Sequence, residues 1–389
     1  MELPAEGRGQ AREARAQTGV NRARRLAALV LPPLLVFLAV RVLFGGAAAA
    51  VGFDAGLSRS WFRWDSGHYL MIATTGYEYF SCARIGGRLA DACGNAAWFP
   101  LYPWLLKPWI ALGIAPATAG VWVSGLGALG MLTALWNAFL RLRGARGWLV
   151  LGMAAVFPGA VYQHAIFPTS LALLCLVLAA FFVVRERWVL AGLFGAGVAL
   201  SYVTGVLVSA PNALAAWLRT RALRPAVVAG GLAACGFLLV LVFHQLLLGH
   251  WDAFYWVHRK GFSGMARPLD AFLEVVMPAL DPAADPRART VGRQTLTVAG
   301  LVILGVGTAL VTRRRRNPVR TWAVIASILF WTFPLLVGRG VSLYRSDALV
   351  LPVLLLLLEL PVWVLAPLLV WLAVLAEAMA RLFFTGYLI

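Results

Sequence analysis

Trp98-Phe99-Pro100-Leu101-Tyr102-Pro103-Trp104-Leu105-Leu106-Lys107-Pro108-Trp109-Ile110-Ala111-Leu112-Gly113 is apolar enough to pass for a membrane span, and how it is read fixes the topology of the chain. Pro100, Pro103 and Pro108 deny it regular backbone bonding, which lipid does not tolerate, so it is expected to lie along the membrane surface. With that segment left out of the count, candidate spans fall at 26–44, 117–140, 148–164, 168–184, 189–202, 204–218, 226–248, 294–312, 320–338, 347–360 and 362–384. Arg141, Arg143 and Arg146, then Arg185 and Arg187, then Arg219, Arg221 and Arg224, then the arginine run 313–316 all land on one side. The positive-inside rule makes that side the cytoplasm, together with Arg8, Arg12, Arg15, Arg22, Arg24 and Arg25. The expectation is an all-α polytopic membrane protein with about 11 transmembrane segments. Residues 1–25 form a basic cytoplasmic N-terminus and 26–389 a single membrane domain. Its outer loops are 45–116 and 249–293, and the first of them carries surface-lying helices.

Composition agrees with this reading. Of 389 residues, 61% are hydrophobic and 13% charged, too little polar surface for a water-soluble globule. The net charge of +18 sits at the ends of apolar runs, not in a stripe interleaved with aromatics, so topology explains it and nucleic acid is not an expected partner. Residues 26–44 are long enough to span and lack a convincing cleavage site, which predicts an uncleaved first helix. The 16 Trp suit membrane interfaces, where an indole meets lipid on one side and water on the other. Helical runs interrupted at Phe157-Pro158 and at Val203-Thr204-Gly205 predict broken helices facing protein or a polar cavity. Cys175 and Cys235 read as packing residues, whereas Cys82 and Cys93 share the first outer loop as either a disulfide or two thiols.

That loop also holds Arg63-Trp64-Asp65-Ser66-Gly67-His68-Tyr69, followed by Gly76-Tyr77. A carboxylate at a bilayer surface is costly without a partner or a task, which makes Asp65 the candidate catalytic base for a hydroxyl nucleophile. The structural alternative is that Asp65 caps a helix or pairs with Arg63. One carboxylate suffices for an inverting sugar transfer if the donor carries its own phosphate leaving group. Arg339 and Arg345, on the side that the positive-inside rule disfavours, are candidate phosphate contacts, unless both merely snorkel to headgroups. Arg63, Trp64, His68, Tyr69, Tyr102 and His164 complete the candidate substrate-binding set, although a lone His is commonly a structural hydrogen-bonder. His244, His250 and His258 lack ligand-like spacing, so no metal is expected, and no cofactor. No Gly-rich phosphate loop follows a strand, and the first outer loop has no Asp-x-Asp pair, which favours a lipid-linked donor over a nucleotide sugar.

Arg63-Trp64-Asp65 through Tyr69, Ile72-Ala73, Gly76-Tyr77 and Phe99-Pro100-Leu101-Tyr102-Pro103 together resemble the PIG-V type mannosyltransferases of the GT-C superfamily of membrane glycosyltransferases. Weaker similarity continues through Phe157-Pro158-Gly159-Ala160 with Tyr162, Leu190-Ala191-Gly192-Leu193 with Gly205, Ser342 with Arg345 and Pro352, and Phe383-Phe384-Thr385-Gly386-Tyr387. The resemblance implies a GT-C-like bundle and transfer of a hexose, mannose first, from a polyprenyl-phosphate sugar to a lipid- or glycan-borne hydroxyl. Transfer would proceed with inversion on the non-cytoplasmic face, with Asp65 as base and Arg345 on the donor phosphate. Two departures stand out. Pro168-Thr169-Ser170 replaces an acidic residue after the aromatic, and Ser201-Tyr202-Val203-Thr204 replaces an Arg before the helix-breaking Gly. Relaxed acceptor specificity would account for them, and so would loss of activity.

Three function classes therefore stay in view: the transferase, a non-catalytic homologue serving as subunit or scaffold in envelope-glycan assembly, and a lipid or solute transporter. The transporter reading lacks intramembrane charge pairs and inverted halves. A composition heavy in Ala, Leu, Arg, Gly and Val resembles that of a high-GC bacterium. That would make this a multi-pass inner-membrane protein with a periplasmic site, while an endoplasmic-reticulum origin stays open.

Overall fold

The structure, a computed structural model, describes residues 5–259, 267–312, 318–337 and 342–388, with side chains from Leu26 onward. Arg339, Lys260 and the arginine run 313–316 lie outside the described residues. Six helices are long and apolar enough to cross a membrane: Leu26–Ala49, Pro116–Leu140, Leu223–Leu248, Pro286–Val311, Pro318–Val337 and Val362–Phe384. Thr169–Val184 and Trp188–Ala199 are apolar but shorter. The chain is thus a helical, multi-pass membrane protein. The single sheet among the described residues is a two-stranded hairpin in the first long loop, Tyr79–Ser81 against Ala92–Gly94.

Prolines punctuate the fold where expected. Residues 98–113 form the helix Leu101–Ala111, much shorter than the six long ones. The run 148–164 is broken into Ala145–Ala155 and Val161–His164 by Pro158 and by Gly159, whose φ is +79°. Residues 204–218 divide into a 3-10 turn, Val203–Val208, and the helix Ser209–Thr220. Two helices reach beyond the spans expected for them. The helix expected from residue 294 begins at Pro286, where Asp285 accepts a hydrogen bond from the Arg287 amide (2.9 Å). The first helix extends back to Ala5, so the basic segment is its continuation.

Every residue from 153 to 173 is buried, so the broken segment is the centre of the bundle and not a lipid-facing span. Helix contacts elsewhere are tied by polar groups that satisfy one another. Trp322 Nε1 donates to Asn212 Oδ1 (2.7 Å) and Asn212 Nδ2 donates to the Ala191 carbonyl (3.0 Å), joining three helices through one buried amide.

Candidate active site

The first long loop is built to turn Asp65 away from its own helix. Trp64 adopts φ +41°, rare for a residue with a side chain, and Asp65 leads into the helix Ser66–Thr74 without capping it. The tight turn is closed by Ser66 instead: its amide donates to the Arg63 carbonyl (2.9 Å) and its Oγ accepts from the Arg63 amide (3.1 Å). A second strained residue, Ser342 at φ +58°, opens the short helix Leu343–Ser346 and accepts from Arg345 through its Oγ (2.7 Å). These two turns bring Arg345 and Asp65, 280 residues apart, into an ion pair. Their side chains remain 20% and 24% exposed, so the pair is open to a ligand.

Tyr69, Tyr162, Tyr202 and Tyr344 surround this pair closely enough for the charges of Asp65 and Arg345 to act on each hydroxyl. The Arg345 guanidinium also lies over Phe167, 5.7 Å from the ring centroid. Burial by itself would lower Arg345, but Asp65, followed by the hydroxyls of Tyr162, Tyr344 and Tyr202, holds it above its ordinary value. Burial raises Tyr69 and Tyr344, so both hydroxyls stay protonated donors at neutral pH.

The other expected site residues are placed as follows. Asp65 does not pair with Arg63, which corrects that structural alternative. Arg63 is spent on the protein's own backbone, donating to the carbonyls of Phe383 (3.2 Å), Phe384 (2.7 Å) and Phe62 (2.7 Å). It thereby caps the end of Val362–Phe384, whose Phe383 carbonyl also accepts from the Gly386 amide (3.0 Å), and joins the first and last pieces of the motif set. His68 stacks on Trp98 with 3.5 Å between ring centroids, and its Nδ1 has no partner among the described residues. Burial lowers its pKa, with Asp65 opposing. Trp64 is 48% exposed.

Tyr69 is buried and meets Tyr102 edge to face. Tyr102 in turn donates to the Gly120 carbonyl (2.8 Å) and reaches Ser124 Oγ (3.0 Å), so it props Tyr69 from behind. Gly76-Tyr77 and Trp98 are held together by Asn95, which donates to the Gly76 carbonyl (3.0 Å), and by Tyr77, which donates to the Trp98 carbonyl (2.8 Å). Cys82 and Cys93 form a disulfide across the adjacent hairpin. His164 is buried between Phe37, Phe44 and Trp61.

Further participants were not among the candidate site residues. Tyr202 and Thr169, one from each of the two segments singled out as departures above, are hydrogen-bonded to each other (2.7 Å). His258, from the second long loop, feels Asp65 and Arg345, and burial pushes it down to about 4. Gln294 donates to both the Tyr344 carbonyl and Asp347 Oδ2 (2.9 Å each), fastening the Arg345 turn to Pro286–Val311. Asp347 could have been found, because a carboxylate within an apolar run is itself a signal. The rest carry no local pattern. Among the described residues no three His, Cys, Asp or Glu side chains group as metal ligands. No family model matches the chain, and no curated protein matches its sequence.

Proposed function

We propose that this protein is an inverting glycosyltransferase of the GT-C type. It would move a hexose, mannose by resemblance, from a polyprenyl-phosphate sugar to a lipid- or glycan-borne hydroxyl on the non-cytoplasmic face. The observation that carries the reading is the Asp65–Arg345 pair, partly exposed among tyrosines. A carboxylate able to take a hydroxyl proton stands beside a guanidinium able to hold a phosphate leaving group. Each neutralises the other at rest. A donor phosphate that takes Arg345 would free Asp65 for the acceptor, so the base becomes available only when a donor is bound. The short helices would complete the crossings of a bundle of about 11 segments, with Asp65 at its outer end. The Cys82–Cys93 disulfide supports an oxidising compartment for that end.

The scaffold reading keeps one specific support. The Thr169–Tyr202 hydrogen bond puts an uncharged pair where the resembled family carries an acid and an arginine. Purified protein incubated with native lipid extract and polyprenyl-phosphate mannose, glucose, galactose or arabinose separates the two. Transfer of any sugar is expected, and none from all four donors would leave the scaffold.

A further inference from the structure

A cavity of about 350 Å³ opens at the end of the bundle opposite Asp65. The helix Val362–Phe384 measures the separation. It begins just after Glu359, which lines the cavity, and ends at the carbonyls held by Arg63; its 23 residues span about 35 Å at 1.5 Å per residue. The polar part of the lining is Arg143, Thr312, Arg320 and Glu359, set against an apolar wall that includes Phe139 and Leu355.

Arg320 is spent inside the protein. It donates to the carbonyls of Thr308 (3.2 Å), Ala309 and Thr312 (2.9 Å), which closes the last turn of Pro286–Val311. Arg143 and Glu359 are not spent. The ion pairs among the described residues are Arg219–Glu186, Arg345–Asp65 and Arg381–Glu377, and neither the Arg143 nor the Glu359 side chain forms an ion pair or a hydrogen bond with any described residue. An acid among arginines usually takes one of them, as Glu186 takes Arg219 at 2.7 Å. Around this cavity the opposite charges of Arg143 and Glu359 instead stand more than 4.0 Å apart. Opposite charges that line one cavity without meeting are spaced for a ligand that carries both. The apolar wall, and Leu310 and Val311 exposed beside Ala309 and Thr312, give that ligand a hydrocarbon part.

We propose that this cavity binds the zwitterionic headgroup of phosphatidylethanolamine, with its phosphate on Arg143, its primary ammonium on Glu359 and its acyl chains leaving along Leu310 and Val311. A guanidinium offers two parallel donors to phosphate oxygens, and a primary ammonium offers three N–H donors to a carboxylate. Phosphatidylglycerol would set an anion against Glu359, and phosphatidylcholine has a quaternary nitrogen with no N–H to give. If the arginine clusters lie in the cytoplasm, the lipid comes from the cytoplasmic leaflet. The proposal goes beyond the transferase reading and does not depend on it, because the site lies at the other end of the bundle and its test uses no sugar.

Full-length protein, delipidated in detergent, would be titrated with dioctanoyl phosphatidylethanolamine, phosphatidylglycerol and phosphatidylcholine, with bound lipid counted by native mass spectrometry. Phosphatidylethanolamine should bind about five- to tenfold more tightly than the other two. Glu359→Gln should remove that preference, and Glu359→Lys should reverse it in favour of phosphatidylglycerol. Arg143→Gln should weaken phosphatidylethanolamine and phosphatidylglycerol alike, about fivefold. Arg143 and Glu359 are both exposed, so these variants should fold; should one fail, the other position still reads the preference. Free phosphoethanolamine should bind far more weakly than the lipid, and equal affinity would overturn the lipid assignment. Charges that are merely solvated at the membrane edge would not tell headgroups apart. Equal affinity for the three lipids, or a wild-type preference kept in all the variants, therefore overturns the proposal. Neither result touches the transferase reading, which stands or falls on sugar transfer.

Discussion

At the residue scale, Asp65 and Arg345 are joined, so substituting either one tests both base and phosphate contact. Asp65→Asn keeps the side-chain shape and loses proton-accepting ability, so transfer should vanish while the fold persists. A partly exposed ion pair is worth about 1 kcal/mol, so the accompanying drop in thermal midpoint should be small. Retained turnover with a large stability loss would make Asp65 a structural partner of Arg345 only. Arg345→Lys keeps the charge but not the paired donors, and turnover should fall about 30- to 1000-fold at unchanged protein level. His258 supplies a pH test. Between about 6.5 and about 4 the unfolded loop binds a proton that the folded loop refuses. The unfolded state therefore gains as pH falls through that window, and the second long loop should open. With the slower intrinsic exchange at acid pH divided out, protection of the amides of residues 253–258 should be lower at pH 5 than at pH 7, and His258→Gln should remove the difference.

At the scale of elements, the Phe157-Pro158-Gly159-Ala160 break and the Arg345 turn are fitted to each other. Gly159 has φ +79°, and a Cβ there would stand 3.0 Å from Ala348 Cβ and 3.1 Å from the Tyr344 carbonyl. Gly159→Ala should therefore cost about 1–2 kcal/mol from backbone conformation and also shift the turn that carries Arg345. Gly386, at φ +74° with nothing within 4 Å, is the control. Gly386→Ala should lose comparable stability and keep its turnover, while Gly159→Ala should lose donor affinity too. Equal turnover in the two variants would mean that the break does not position Arg345. The break itself was legible, because Pro158 cannot continue a helix. That it faces Tyr344–Ala348 was not, since nothing local couples residues nearly 200 apart.

At the scale of the whole molecule, the Arg63 bonds to the last carbonyls of Val362–Phe384 put the end of that helix beside Asp65. If the arginine clusters lie in the cytoplasm, both long loops and the C-terminal end share the opposite side. Ala90→Cys and Ala283→Cys should each react with an impermeant maleimide in intact cells. Protection of either until lysis would contradict the arrangement.

The sequence by itself determined the class of the molecule. Apolar runs, prolines and arginines act through solvation and backbone bonding, which depend on each residue's own surroundings in lipid or water. Asp65 and Arg345 stood out for the same reason, as charges where charges are costly. What only the tertiary structure decided is who meets whom. Arg63 serves the Phe383 and Phe384 carbonyls and not Asp65, Thr169 holds Tyr202, Gln294 holds the Arg345 turn, and Arg41 meets Trp61. Those partnerships join residues far apart in the chain and arise from how helices pack, which no local spacing encodes.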